Sequence, residues 1–266
     1  MVRNNNSSCL QLTSTWTQDA EDQIPEHRTQ AAGCRIDSSS STNHNRFIVT
    51  GGRDVTGEAT ATAWMITNKR TTTTTKILPD LLIPRYSHGC IVDEQNNYVY
   101  VMGGYNWSGR MIKSVEVLDL QHPSRGWKMV KAMPHPRAPL VVECCVNNGN
   151  GRRSVYLMGG SSASVVDCYH LDTNQWESLY DVPALPVPDA WIAGSTVVSR
   201  RYICLIGEDT PVTGQCVMAL DISTERWVSP RNSIPSLQVD PVYSEALASI
   251  HYQNSSSSSS SSKGRG

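Results

Sequence analysis

Apolar residues along this chain fall into short runs closed by polar turns, and the runs recur in a fixed order. Four of them run into a glycine, which is doubled in the first three: FIVTGG (Phe47 to Gly52), VYVMGG (Val99 to Gly104), VYLMGG (Val155 to Gly160) and ICLIGE (Ile203 to Glu208). Each is apolar at consecutive positions, which predicts a strand covered on both faces. Another apolar run stands before each: QAAGCRI (Gln30 to Ile36), SHGCIV (Ser87 to Val92), LVVECCV (Leu140 to Val146) and WIAGSTVV (Trp191 to Val198). A third follows each: TAWMITN (Thr62 to Asn68), SVEVLDL (Ser114 to Leu120), DCYHLD (Asp167 to Asp172) and CVMALD (Cys216 to Asp221). Polar turns then lead into a fourth segment that opens on Trp127, Trp176 or Trp227, with Trp16 in the same setting near the N-terminus. The first complete repeat carries TTTTTK (Thr71 to Lys76) there instead. Threonine favours a strand, but that repeat is expected to lack a large buried anchor.

The first glycines, Gly51, Gly103, Gly159 and Gly207, are spaced by 52, 56 and 48 residues. A repeat near 50 residues built from four short strands predicts a β-propeller blade rather than a helical repeat. The expected fold is all-β, with four complete four-stranded blades plus a partial blade formed from the chain ends. Residues 14–253 make the propeller. Residues 1–13 and the Ser-rich 254–266 are too polar to offset ordering entropy and are expected to be disordered tails. The partial blade would combine the Trp16 region with EALASIHY (Glu245 to Tyr252) and lacks its middle strands. Either the ring is irregular or the chain is a piece of a longer protein; the latter is expected.

Composition narrows the partners. The hydrophobic fraction is 39%, ample for a core, and 23 basic residues against 24 acidic ones leave a net charge of −1. That balance argues against nucleic acid or an anionic membrane held by bulk electrostatics. No apolar run reaches bilayer length and no signal-like apolar region opens the chain, so a cytoplasmic setting is expected. The eight cysteines (Cys9, Cys34, Cys90, Cys144, Cys145, Cys168, Cys204 and Cys216) show no compact spacing. Most stand in apolar, strand-like contexts and are expected to be reduced thiols serving as small hydrophobes. Cys144 and Cys145 adjoin in one strand, so they should face opposite ways.

The repeat resembles the kelch repeat: a double glycine after an apolar strand, an apolar third strand, a Trp shortly after, then Arg and His leading into the next blade. YHLDTNQW (Tyr169 to Trp176) matches most fully, and IPRYSHG (Ile83 to Gly89) matches the inter-blade segment. The resemblance covers Trp16 to about His251. It implies a non-enzymatic protein-interaction module, with a substrate-recruiting role like that of ubiquitin ligase adaptors as the specific form. The alternatives it leaves are an actin-binding scaffold and an enzyme of the sugar-acid epimerase or oxidase type. No residue set marks a copper site, no G-x-S-x-G elbow occurs, and the histidines do not stand at zinc-ligand spacing with cysteine. No catalytic residue, metal or cofactor is therefore expected. His88 corresponds to a framework histidine of the repeat.

Loops carry the candidate chemistry. The segments after the glycines offer Arg53–Asp54, Tyr105–Asn106–Trp107–Ser108, Ser161–Ser162 and Glu208–Asp209–Thr210. The inter-blade segments place Arg28, Arg85, Arg137 and Asp189 at equivalent points. The resemblance implies that arginines and small polar residues there grip an acidic or polar peptide segment, through forked hydrogen bonds to carboxylates. Trp107, set among Asn, Ser and Gly, is the candidate aromatic anchor. The expected partner-binding set is Arg53, Arg85, Tyr105, Asn106, Trp107, Arg137, Ser161 and Asp189. Arginines converging on one mouth repel unless an acid lies between them; Asp54 and Asp189 are the internal candidates.

Overall fold

The structure is a computed structural model and describes residues 9–11, 26–36, 45–68, 73–138, 141–146, 152–160, 165–179, 191–198, 201–209, 214–228, 237–239 and 250–252. Among them the one helical turn is a short 3-10 segment, Pro123–Arg125. The rest is sheet and turn.

Blade 1 holds β2 (Ala32–Ile36), β3 (Asn45–Thr50), β4 (Ala63–Asn68) and β5 (Thr73–Leu78). Between blades, β6 (Arg85–Tyr86) pairs with β9 (Tyr105–Asn106). Blade 2 holds β7 (Gly89–Asp93), β8 (Tyr98–Met102), β10 (Val115–Asp119) and β11 (Lys128–Met129). Blade 3 holds β12 (Val141–Val146), β13 (Arg153–Met158), β14 (Val166–His170) and β15 (Gln175–Leu179). Blade 4 holds β16 (Trp191–Val198), β17 (Tyr202–Asp209), β18 (Gly214–Asp221) and β19 (Arg226–Val228). Every blade is an antiparallel meander with its strands in chain order, and the first strands β2, β7, β12 and β16 neighbour one another in turn.

The chain ends lie in two different sheets. β1 (Cys9–Gln11) adds to the inner edge of blade 1 by pairing with β2, and it also lies against β7, β12 and β16. The expectation of a disordered segment over 1–13 is thus corrected at these three residues: the free edge of β2 offers backbone partners to an extended segment. β20 (Leu237–Val239) and β21 (Ile250–Tyr252) form a separate two-stranded sheet. Trp16 and the tail 254–266 lie outside the described residues.

The consecutive apolar pattern is explained by packing on both faces. Cys90, Val92, Val99 and Val101 enter the core between blades 1 and 2, while Ile91, Tyr100 and Met102 enter the core between blades 2 and 3. A third core joins blades 3 and 4 through Tyr156, Met158, Ile203 and Leu205. The fourth-strand tryptophans staple neighbouring blades. Trp127 Nε1 donates to Pro79 O at 2.8 Å, and Trp176 Nε1 donates to Lys131 O at 2.9 Å. Trp127 is buried, whereas Trp176 and Trp227 are only half-buried. In blade 1, Thr75 stands opposite Ile66 in the place of the missing tryptophan. Trp64, one strand inward, is buried with Ala31 and Val49 and restores aromatic packing to that blade.

The double glycine answers a steric demand. Gly51 has φ +55°, and a Cβ there would lie 2.4 Å from Arg85 O and 2.7 Å from His88 Cε1. At Gly104, φ +88°, it would lie 2.6 Å from Tyr86 O. Only a residue without Cβ lets the next inter-blade segment approach so closely. In blade 4 the residue after Gly207 is Glu208, and β17 runs straight through both to Asp209.

Candidate functional site

The inter-blade arginines are the first test of the expected site. Arg85 and Arg137 are fully buried, with 0% of their surface exposed. Arg85 Nε donates to Ile83 O, Nη1 donates to Gly103 O and Ser114 O, and Nη2 donates to Ser114 Oγ and Glu116 Oε1. All five guanidinium N–H groups are thereby engaged. Arg137 repeats the arrangement one blade on, with Nη1 donating to Gly159 O, Nη2 to Val165 O, and both Nε and Nη2 to Asp167 Oδ2. The arginine carbonyls meanwhile accept from the preceding blade: Gly52 N donates to Arg85 O and Gly104 N donates to Arg137 O. Each arginine is a bolt between two blades. The expectation that Arg85 and Arg137 contact a ligand is corrected by this burial. The acids that balance them are Glu116 and Asp167, not Asp54.

Glu116 and Asp167 were missed by sequence reasoning, although each is a charge inside an otherwise apolar third strand. The equivalent positions vary together. Blade 1 has Arg28 with Trp64, and the guanidinium lies 5.3 Å from the ring centroid. Blade 4 has Asp189 where the arginine would stand and Met218 in place of the acid. Asp189 and Ser161 lie outside the described residues.

Among the described residues of the expected set, those that remain at the surface lie on the loops after the double glycines of blades 1 and 2. The two loops share one geometry. Asp54 Oδ1 accepts from Thr56 N, Thr56 Oγ1 and Glu58 N, while Asn106 Oδ1 accepts from Ser108 N, Ser108 Oγ and Arg110 N. Gly57 N donates to Asp54 O and Gly109 N to Asn106 O, both at 3.0 Å. A short polar side chain that folds back on its own backbone and a left-handed glycine set this turn. Hydrogen bonding, led by the Thr56 hydroxyl, holds the Asp54 carboxyl below the usual carboxylate range. The residue after the Asp or Asn is carried to the tip. In blade 1 it is Val55, 82% exposed, and in blade 2 it is Trp107, 77% exposed.

Between the tips lies a ring stack crossing the seam. The Arg53 guanidinium sits 4.1 Å from the Tyr86 ring centroid, and its Nη2 donates to Tyr86 Oη at 2.8 Å. Tyr86 stacks on Tyr105 with centroids 5.3 Å apart and planes at 25°. Pairing of β6 with β9 sets Tyr86 opposite Tyr105. Of the expected set, Arg53, Tyr105, Asn106 and Trp107 are therefore brought together. Tyr86 and Val55 join them; Tyr86 stood within IPRYSHG, but nothing in that string showed which way its ring turns.

Other polar groups are largely occupied, although among the described residues His88 Nδ1 is buried with no hydrogen-bond partner. His88 is buried between blades 1 and 2, with Nε2 2.9 Å from Thr50 Oγ1, and burial pushes its pKa well below the ordinary histidine value. At the opposite end of blade 4 a recess is lined by Arg201, Tyr202, Asp221 and Trp227. Asp221 there accepts from Arg201 and Ser223, and its pKa is lowered to about 2, chiefly by the Arg201 hydrogen bond. Among the described residues no three His, Cys, Asp or Glu side chains converge as a metal site would need.

The chain matches the KLHDC2/KLHL20/DRC7 kelch-repeats domain over residues 37–252. It is 30% identical over 105 residues to an F-box/kelch-repeat protein of Arabidopsis thaliana, covering 37% of this chain and 25% of that protein. It is 27% identical over 197 residues to alpha-scruin of Limulus polyphemus, covering 67% of this chain and 20% of the relative. A second Arabidopsis thaliana F-box/kelch-repeat protein is 27% identical over 167 residues, covering 62% of this chain and 37% of its own length. The matched part of each relative is thus well under half of it.

Proposed function

Because this chain belongs to the kelch-repeat family, whose propellers serve as protein-interaction modules, we propose that it is a non-enzymatic module that binds a protein partner on the loop face of blades 1 and 2. One observation carries the reading: two loops of identical hydrogen-bonded geometry hold an apolar residue, Val55 and Trp107, in water at matching positions. An exposed tryptophan on a rigid turn gains more from a partner than a mobile one, because little entropy remains to be lost.

The partner chemistry follows from what is left exposed. With Arg85 and Arg137 sealed inside the blades, a purely acidic peptide loses two of its expected contacts. A segment that offers apolar surface to Trp107 and Val55 fits better, with a polar or acidic group near Arg53 and Arg110. Two relatives bear F-box in their names, so the specific form of the proposal is recruitment of that partner to a ubiquitin ligase. That form needs an adaptor domain on the same polypeptide or on a second one, and the cytoplasmic setting expected from the sequence suits it.

The test is affinity capture from lysate with wild type, Trp107→Ala, Val55→Asp and Arg53→Ala, quantified by mass spectrometry. Trp107→Ala should change folding stability by no more than about 0.5 kcal/mol, as for an exposed surface residue. It should nonetheless deplete the partner about tenfold or more, the loss expected on truncating an aromatic hot spot. Identical partners in identical amounts for all three variants would refute the site.

A further inference from the structure

Cys34 and Cys90 come from different repeats, 56 residues apart in sequence, and no spacing rule links them. The fold brings them together. Cys34 lies on β2 and Cys90 on β7, the neighbouring first strands of blades 1 and 2. Their sulfurs are 2.9 Å apart, within about 1 Å of a disulfide bond length. Both residues are buried, in a core whose other members include Ala32, Ile48, Val92 and Val101. Cys168 and Cys204 sit in other cores. We propose that Cys34 and Cys90 are a modification site, an oxidisable thiol pair that a peroxide converts into a disulfide joining blades 1 and 2.

The chemistry balances with hydrogen peroxide as oxidant. One cysteine, as its thiolate, attacks a peroxide oxygen; the O–O bond breaks, and the departing hydroxide takes up a proton as water. The sulfenic acid left behind faces the second sulfur. That sulfur attacks it, the S–S bond forms, the S–O bond breaks, and a second water leaves with the remaining proton. The two thiols lose two electrons and the peroxide gains them. Peroxide is small enough to reach a core site during brief local opening of the seam. In a reducing compartment the pair rests as thiols, and the reduced state returns when thiol reductant is restored.

The bond would cross the seam that carries the Arg53, Tyr86 and Tyr105 stack, so oxidation would fix blade 1 against blade 2 beneath the two loop tips. It would also close a long loop of chain and so constrain the unfolded state. A rival exists on the same strand. Cys9 on β1 is the register partner of Cys34, so a Cys9–Cys34 bond is the alternative that peptide mapping must separate.

The experiment uses the full chain, purified under reductant, exchanged into buffer and exposed to hydrogen peroxide. Free thiols are then alkylated, and the protein is digested without reduction and mapped by mass spectrometry. The expected result is a linked pair of peptides holding Cys34 and Cys90, with the intact protein lighter by two hydrogens. The oxidised form should also unfold at higher urea concentration, and reductant should reverse both changes. Cys90→Ala should abolish the linked peptide. The proposal is overturned if both thiols remain alkylated while methionines show that peroxide acted. It is equally overturned if Cys34 is found linked to Cys9, or if either thiol ends as sulfinic acid with no linked peptide.

Discussion

Replacing Glu116 by Gln removes one charge from a site that the sequence presents as an ordinary strand position. Both side chains of the Arg85–Glu116 pair are 0% exposed. The carboxylate accepts from Arg85 Nη2 at 2.6 Å, from Leu82 N at 2.6 Å and from Ile83 N at 3.1 Å. Burial by itself lowers the Arg85 pKa, and Glu116 opposes that shift. Gln keeps the shape but turns an NH2 group toward donors, leaving a guanidinium buried without its counter-charge. Breaking a buried pair on one side costs about 3–5 kcal/mol. An orphaned backbone N–H costs about 1–3 kcal/mol. The two overlap because the donors share one carboxylate, so the loss should be close to the upper part of the first range. Against a typical total stability of about 5–15 kcal/mol, that is a large fraction. Urea unfolding followed by tryptophan fluorescence measures it, because the midpoint shifts while the slope holds if the unfolded state is unchanged. The paired change Arg85→Leu with Glu116→Met, guided by the Met218 that blade 4 carries at the acid position, should recover part of the loss. Full recovery is not expected, since Gly103 O and Ser114 O would still lose a donor. If Glu116→Gln unfolds within about 1 kcal/mol of wild type, the inter-blade bolt is not the stabilising element described above.

Three further outcomes can be checked on the same footing. His88 stays neutral when folded, with burial and then the Arg85 charge holding its pKa well below 6.5. Stability is therefore full above pH 6.5 and should fall below it by up to about 1.4 kcal/mol per pH unit, as the unfolded chain alone takes up the proton. The Asp221 contribution is lost only below its ordinary 3.8, so urea midpoints between pH 6.5 and 4.5, compared with those of His88→Gln to subtract the other histidines, report on His88. A slope there that is unchanged in His88→Gln would contradict it. Trp127→Ala should cost about 3–5 kcal/mol; Trp176→Ala, at a half-buried position, should cost less, and the reverse order in thermal unfolding would be wrong for these interfaces. Gly57→Ala meets no atom within 4 Å, whereas Gly51→Ala meets Arg85 O at 2.4 Å. Both carry left-handed strain, so their difference reports overpacking alone, about 1–3 kcal/mol; equal midpoints would refute the close approach.

Most of the fold was legible because its cause is local and repeated. Runs such as VYVMGG carry both the two-sided burial and the glycine turn in adjacent letters, and the strands of blades 1 to 4 fall where those runs do. The disposition of the chain ends was not legible. Whether Cys9–Gln11 joins β2 depends on an edge that only the assembled sheet exposes. The candidate site was legible in part. Trp107 stands out as an aromatic among turn residues, and the fold does expose it. Arg85 and Arg137 look the same in sequence whether they point to a ligand or to an acid one strand away. The signal that separates the cases is the charge within SVEVLDL and at Asp167, together with the joint change to Asp189 and Met218 in the last repeat. Val55 carries no such signal. Its role emerges only when the Asp54 and Asn106 turns are seen to be the same turn.

The claim that partners dock over blades 1 and 2 is tested most directly by site-specific photo-crosslinking. A photoreactive amino acid is placed singly at position 107, at position 55, and at Ser124, which is exposed on the turn at the opposite end of blade 2. After irradiation in lysate, crosslinked products are resolved by mass spectrometry. The same partner should be captured from positions 107 and 55, and it should be absent from 124. Capture from 124 with none from 107 or 55 would place the binding surface on the other face and contradict the account.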